Sequence, residues 1–120
     1  MTIQRKMLGN SGEEIAANYL EKIYYKILDR NLRLKYGEID IIARDGDYVV
    51  IVEVKTKTVI KQGTPEEMVD YFKQKKLRLL ARAVSQMYPN NSIRIDVVAV
   101  DETDLNKTKI NHIINAIEEI

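Results

Sequence analysis

Two carboxylates and an amine, Asp40, Glu53 and Lys55, interrupt the apolar runs of GEIDIIARDGDYVVIVEVKTKT, residues 37–58, where solvent-facing charge is not expected. If these runs form a hairpin closed by the two-residue loop Gly46-Asp47, paired positions sum to 93 and Asp40 lies directly opposite Glu53. Directly opposed residues share a face with Cβ atoms about 4.5–5.5 Å apart, and the strand period of two puts Lys55 on that face beside Glu53. A loop of Asp45-Gly46 would shift the pairing by two and keep the shared face, whereas a three-residue loop without a compensating bulge would part the two acids. Opposed like charges destabilise a sheet, and burying them costs more still, so a compensating group is required. A divalent cation meets that need. Mg²⁺, with Mn²⁺ as its substitute, takes oxygen ligands, is content with one or two carboxylates and keeps waters to share with a phosphate. Lys55 would then hold or polarise the attacking water and offset the charge of a pentavalent phosphorane. The chemistry expected is metal-dependent phosphodiester hydrolysis; the plainer reading is an ordinary ion-pair cluster at a sheet end.

These side chains need strands to carry them. From Glu38 to Arg44 the chain alternates Ile39, Ile41 and Ala43 against Asp40 and Ile42, and Tyr48 to Lys55 is almost continuously β-branched, which predicts a half-buried strand followed by a central one. Asp45-Gly46-Asp47 supplies residues that tolerate positive φ and marks a tight hairpin. Upstream, Ile15, Ala16, Tyr19, Leu20 and Ile23 are at helical spacing, predicting a helix over about residues 11–23 with Asn10 or Ser11 as its N-cap. YKILDRNLRL (25–34) reads as an edge strand, with Tyr36-Gly37 as the break before the hairpin. Pro65 fits the first turn of a long helix reaching about Tyr88 and stopped by Pro89-Asn90-Asn91. IRIDVVAV (93–100) is a further strand, and KINHIINAI fits either a short strand or a helix. The order predicts an α/β fold, a small mixed sheet flanked by helices, whose long connection lets the fourth strand run parallel to the third.

With 120 residues the chain has the length of a single domain, 1–120, able to bury a core without staples. The absence of cysteine excludes a disulfide framework, a zinc–thiolate site and a thiol nucleophile. No apolar run approaches the roughly 20 residues of a membrane span, and the N-terminus lacks the apolar core of a signal peptide, so a soluble cytoplasmic protein without a membrane partner is expected. The net charge of +1 hides an asymmetry: residues 1–88 hold 16 Lys/Arg against 12 Asp/Glu, and residues 89–120 hold 3 against 6. That balance permits a polyanionic partner without demanding one.

On the long helix, the stripe Val69, Lys73, Lys76, Leu80, Ala83, Met87 inserts two lysines where apolar residues are expected. Either both snorkel past the sheet edge, or Lys73 above all projects into the site cleft to meet a DNA phosphate, with Gln74 a weaker candidate. Arg30, Arg33 and Lys35 before the hairpin, and Lys57 and Lys61 after it, would form a phosphate-binding rim if they cluster, and scattered surface charge if they do not. Asp96 is expected to pair with Arg94 or cap a neighbouring element. His112, the single histidine, has no metal or triad spacing around it and is read as structural. Walker and dinucleotide glycine patterns are absent, which disfavours nucleotide-cofactor chemistry.

Asp40 followed by Glu53-Val54-Lys55 resembles the signature of the PD-(D/E)XK nuclease superfamily. GNSGEEIAANYL (9–20), RNLRLKYGEIDIIA (30–43), VIVEVKTKT (50–58), QGTPEEMV (62–69) and IRIDVVAV (93–100) resemble, in order and over nearly the whole chain, the YraN family of predicted endonucleases, which is similar to archaeal Holliday-junction resolvases. The resemblance implies a restriction-endonuclease-like core, Asp40 and Glu53 as metal ligands with the Val54 carbonyl, Lys55 as catalytic lysine, and a glutamate from the first helix. Of the two available, Glu13 shares a helix face with Ala16, Ala17 and Leu20, whereas Glu14 faces with Asn18 and Glu21; Glu13, in the Gly12-Glu13 pair, is the expected third carboxylate. The function implied is a Mg²⁺-dependent DNA endonuclease acting on branched or structured DNA, with Lys73, Lys76, Arg33 and Lys57 as nucleic-acid contacts and a homodimer if two strands of a junction are nicked. The competing expectation is a binding or partner-recruiting module that keeps the fold without turnover.

Overall fold

The computed structural model describes residues 3–58, 71–104 and 106–117, with residues 3–10 and 71–72 described by backbone alone. The chain opens with helix α1 (Ile3–Lys22) and continues through β1 (Lys26–Leu34), β2 (Gly37–Asp45) and β3 (Tyr48–Lys57). Helix α2 (Tyr71–Met87), β4 (Ser92–Asp101) and β5 (Lys109–Ile113) follow. The strands form one sheet in the order β1-β2-β3-β4-β5, antiparallel except for the β3–β4 pair, which is parallel. The mixed sheet with its parallel third and fourth strands is as expected, and the undecided last element is a strand. The expected N-terminus of the long helix at Pro65 lies outside the described residues; its end, before Pro89, agrees. Among the described residues no helix is long and apolar enough to cross a membrane.

Helix α1 corrects one expectation. It begins at Ile3, not near residue 11, so Asn10 and Ser11 are interior positions rather than caps. The reason lies in IQRKML, a run of residues that are mostly good helix formers, which a lone Gly9 does not break. At its other end Tyr24 N–H bonds the Glu21 carbonyl and Tyr25 N–H the Leu20 carbonyl, a Schellman closure with Tyr24 at φ 71° in the left-handed position usually given to glycine.

Among the described residues each face of the sheet carries one helix. On one face Ala16, Ala17 and Leu20 of α1 pack on Ile41, Ala43, Val50, Val52, Val98 and Val100. On the other, Leu77, Leu80, Ala81 and Val84 of α2 pack on Ile39, Ile42, Val49, Ile51, Ile95 and Val97. Gly12 lets α1 lie close on β3: a β-carbon there would run into Thr56 Oγ1.

β2 does not stay with one face. Ile41 and Ala43 belong to the α1 layer, whereas Ile39, two residues earlier, belongs to the α2 layer, so the alternation breaks at Asp40. β1 breaks at the same level. Arg30, paired with Ile41, reaches Glu14 on α1, while Leu32, paired with Ile39, packs in the α2 layer. Between them Asn31 has φ 54°, a conformation that asparagine tolerates better than most residues. Both strands therefore change faces at the Asn31 and Asp40 level.

Candidate active site

The hairpin closes as the two-residue alternative requires, with Asp45 paired to Tyr48 and Gly46 at φ 59°. Pairing runs up to Ile41↔Val52 and stops one pair short of Asp40 and Glu53. The expected opposition of these two acids within the ladder is thus refined. β2 parts from β3 at the changeover, and the Val54 N–H donates to Asp40 Oδ2 at 2.8 Å. By the alternation of an antiparallel ladder that N–H would have served the Ile39 carbonyl. The fork converts a backbone donor that holds sheets together into one that orients a carboxylate.

Glu53, Lys55 and the α2 lysine Lys73 meet beside it. Glu53 is only 5 % exposed, and its Oε1 lies 2.9 Å from Lys73 Nζ and 3.5 Å from Lys55 Nζ. Strand alternation places Glu53 with Val49 and Ile51 on the α2 face, which is why a lysine from α2 reaches it. Glu13 arrives from α1 and comes within hydrogen-bonding reach of Asp40. Because α1 starts at Ile3, Glu13 stands in the third turn, beyond the reach of the N-terminal dipole that would otherwise explain a glutamate there. Glu14 instead pairs with Arg30 at 2.9 Å, away from Asp40.

Burial, then the neighbouring Glu53, pushes the Asp40 carboxyl up to about 7. Burial also raises Glu13, with Glu38 adding to the effect and Arg30 opposing it. Two acids held back from ionising by a dry setting and by other acids are a donor set that a hard cation would relieve. Among the described residues no three His, Cys, Asp or Glu side chains stand close enough together to form a ready cage. The oxygen chemistry nevertheless fits Mg²⁺, which needs only one or two protein carboxylates and keeps its waters.

The expected nucleic-acid contacts divide. Lys73 is in the site. Lys76 lies beside it, its Cε over the α-carbon of Gly37, whose φ of 142° is one that side chains rarely adopt. Lys57 is two residues beyond Lys55 on β3, next to Asp101 across the parallel pair. Arg33 is ion-paired with Glu38 at 3.1 Å and Arg30 with Glu14, so neither stands as a bare phosphate contact. Lys61 lies outside the described residues. Asp96 does pair with Arg94, through two contacts of 2.9 and 3.1 Å, and it accepts the Asn115 N–H. His112 sits between Asp96 (2.8 Å) and the Tyr19 hydroxyl (3.0 Å), inside that buried network.

Asn31 was not singled out in the sequence. With its amide nitrogen turned toward the carboxylates it donates to Glu13 Oε2 at 3.0 Å and Glu38 Oε1 at 3.1 Å. The available signal was an asparagine, tolerant of positive φ, set where the Arg-Asn-Leu-Arg-Leu run should have alternated.

The profile of the uncharacterised protein family UPF0102 matches residues 12–100, a span that contains Glu13, Asp40, Glu53, Lys55 and Lys73. A UPF0102 protein of Thermodesulfovibrio yellowstonii is 46% identical over 110 residues, covering 91% of this chain and 94% of its own. One from Caldanaerobacter subterraneus is 42% identical over 118 residues, 95% of this chain and 97% of its own, and one from Geobacter sulfurreducens 42% over 115 residues, 94% and 90%.

Proposed function

The chain belongs to the uncharacterised protein family UPF0102, and from that premise we propose that it is a metal-dependent endonuclease of the PD-(D/E)XK type that hydrolyses phosphodiester bonds in branched or structured DNA. The observation that carries the reading is the fork between β2 and β3, where Asp40, Glu53 and Lys55 converge with Glu13 and Lys73 from two helices. Asp40, Glu53 and the Val54 carbonyl would hold Mg²⁺ or Mn²⁺, with Glu13 as an additional carboxylate. When bound, the cation supplies charge neutralisation at the phosphate and acidifies a water. The Val54 N–H donates to Asp40 Oδ2 and so fixes the orientation of the carboxylate. Lys55 and Lys73 supply the positive partners of the buried Glu53. As phosphate arrives, an ammonium exchanges its carboxylate partner for the phosphoryl oxygens, and Lys55 orients the attacking water.

The second reading, a nucleic-acid-binding module without turnover, has one observation in its favour: two ammonium groups already satisfy Glu53 without a metal. Nicking of a four-way junction, a single strand and a duplex in Mg²⁺ or Mn²⁺ separates the two. The enzyme reading expects cleavage that disappears in Asp40→Ala and in Glu53→Ala. Salt-sensitive binding with no cleavage of any substrate, or cleavage that survives both substitutions in a clean preparation, overturns it.

A further inference from the structure

Beside the site, the turn between β1 and β2 and the flank of α2 enclose a cleft of about 290 Å³ lined by Tyr36, Leu79, Arg82, Ala83 and Gln86. Its volume is at the lower end of the roughly 300–1,000 Å³ of small-molecule sites, room for one ring system and little more. Tyr36 is 46 % exposed, an aromatic ring left half in solvent on a turn, with Lys35 Nζ 5.6 Å from its centroid. Among the described residues the lining carries one guanidinium, one amide and no carboxylate. This composition suits a flat, hydrogen-bonding ring attached to an anion, since the tyrosine offers a stacking face, Arg82 and Gln86 offer polar edges, and the neighbouring lysines offer charge.

Side chains link the cleft to the site. Lys73 touches Glu53, Lys76 one turn later lies over Gly37, and Gly37 follows Tyr36 directly. From Lys73 to Arg82 the helix rises about 13 Å, the span of roughly four nucleotides at the rise of one DNA strand and fewer if that strand is extended. Lys73 and Lys76, three residues apart, share the flank of the helix that leads to Gly37 and Tyr36, over which a single backbone could pass from the reacting phosphate to the aromatic ring, while Arg82, half a turn round the helix from Lys73, lines the cleft itself.

We infer that this cleft is a subsite for an unpaired nucleotide a few positions from the scissile phosphate, its base stacked on Tyr36, so that the enzyme's preferred substrate is DNA with a single-stranded flank. The inference takes its orientation from the nuclease reading and adds the class of substrate to it.

The test is equilibrium binding in EDTA, where no cleavage occurs, using a duplex with a six-nucleotide single-stranded flank, the same duplex blunt-ended, and the same duplex with an RNA flank. Wild type should bind the DNA-flanked duplex about tenfold more tightly than the blunt one. Tyr36→Ala should remove that preference and leave blunt-duplex binding unchanged, while Tyr36→Phe keeps it. A 2-aminopurine in the flank should be quenched by wild type and not by Tyr36→Ala. Equal retention of an RNA flank would extend the subsite to either backbone and loss of it would restrict the subsite to DNA; both outcomes support stacking. Equal binding of flanked and blunt duplexes by wild type, or an equal loss on both in Tyr36→Ala, overturns the inference. Nicking in Mg²⁺ is followed in parallel with Asp40→Ala as control. A flank preference without nicking refutes the enzyme and keeps the subsite, whereas nicking without a flank preference refutes the subsite alone.

Discussion

Replacing Asp40 by asparagine should make the metal-free protein more stable at pH 8 and leave it nearly unchanged at pH 4. The folded protein holds the Asp40 carboxyl at about 7 against an ordinary 3.8, because the group is buried beside Glu53. The folded state therefore binds this proton more tightly than the unfolded state does. Between about pH 4 and 7 the native chain carries the extra proton, so the free energy of unfolding falls as pH rises through that window, and the loss is complete above about pH 7. The distance from 3.8 to about 7, at about 1.4 kcal/mol per pH unit, sets a ceiling of about 4 kcal/mol, and residual solvent access lowers it to about 2–3. An asparagine oxygen can still accept the Val54 N–H, so the substitution removes the charge and keeps the bond. Urea denaturation in EDTA measures the effect, a midpoint higher than wild type by roughly 1–2 M at pH 8. Mg²⁺ should narrow the gap by stabilising wild type alone, with an apparent affinity that drops about tenfold per pH unit below 7 as protons compete. An Asp40→Asn variant no more stable than wild type at pH 8, or more stable by the same amount at both pH values, would refute a buried proton on Asp40.

Two further substitutions test how the scaffold is held. Tyr24→Gly, at the left-handed position closing α1, should stabilise the fold by about 1 kcal/mol in thermal or urea unfolding, since a 93 % exposed tyrosine has little contact to lose there; a loss of stability would refute the Schellman assignment. Asp96→Asn should cost about 3 kcal/mol, because it removes the negative charge between Arg94 and His112 from a fully buried position, while metal binding at the fork stays unchanged. A cost below about 1 kcal/mol would mean that Asp45, 3.0 Å from Arg94, suffices to hold the guanidinium.

Much of the site's placement was legible because two short-range rules cooperate. Asp45-Gly46-Asp47 restricts the hairpin loop, and loop parity then fixes which face Asp40 and Glu53 occupy. The parallel β3–β4 pair followed from the length of the connection, and Glu13 over Glu14 from helical spacing. What was illegible depends on contacts between distant segments. Alternation in β2 was read as unbroken, whereas the strand changes faces at Asp40, a change coupled to the φ of Asn31 in another strand. The early start of α1 was hidden by a plausible cap at Asn10 or Ser11, since a cap signal inside a run of helix formers has no priority over propensity. Lys73 could be placed on a helix stripe but not assigned to Glu53, because its reach depends on how α2 crosses the sheet.

The changeover at Asp40 has a mechanical meaning. Before Asp40, β2 gives Ile39 to the α2 core, and beyond it Ile41 and Ala43 to the α1 core and Ile42 to that of α2, so Asp40 stands where the strand becomes shared between two cores that are otherwise separated by the thickness of the sheet. A relative displacement of the helices is therefore felt as torsion at the carboxylate, while a motion shared by both leaves it undisturbed. Glu13 rides on one core and Lys73 on the other, and the acid between them acts as a fulcrum: the site is assembled only when the two halves of the molecule agree on its position.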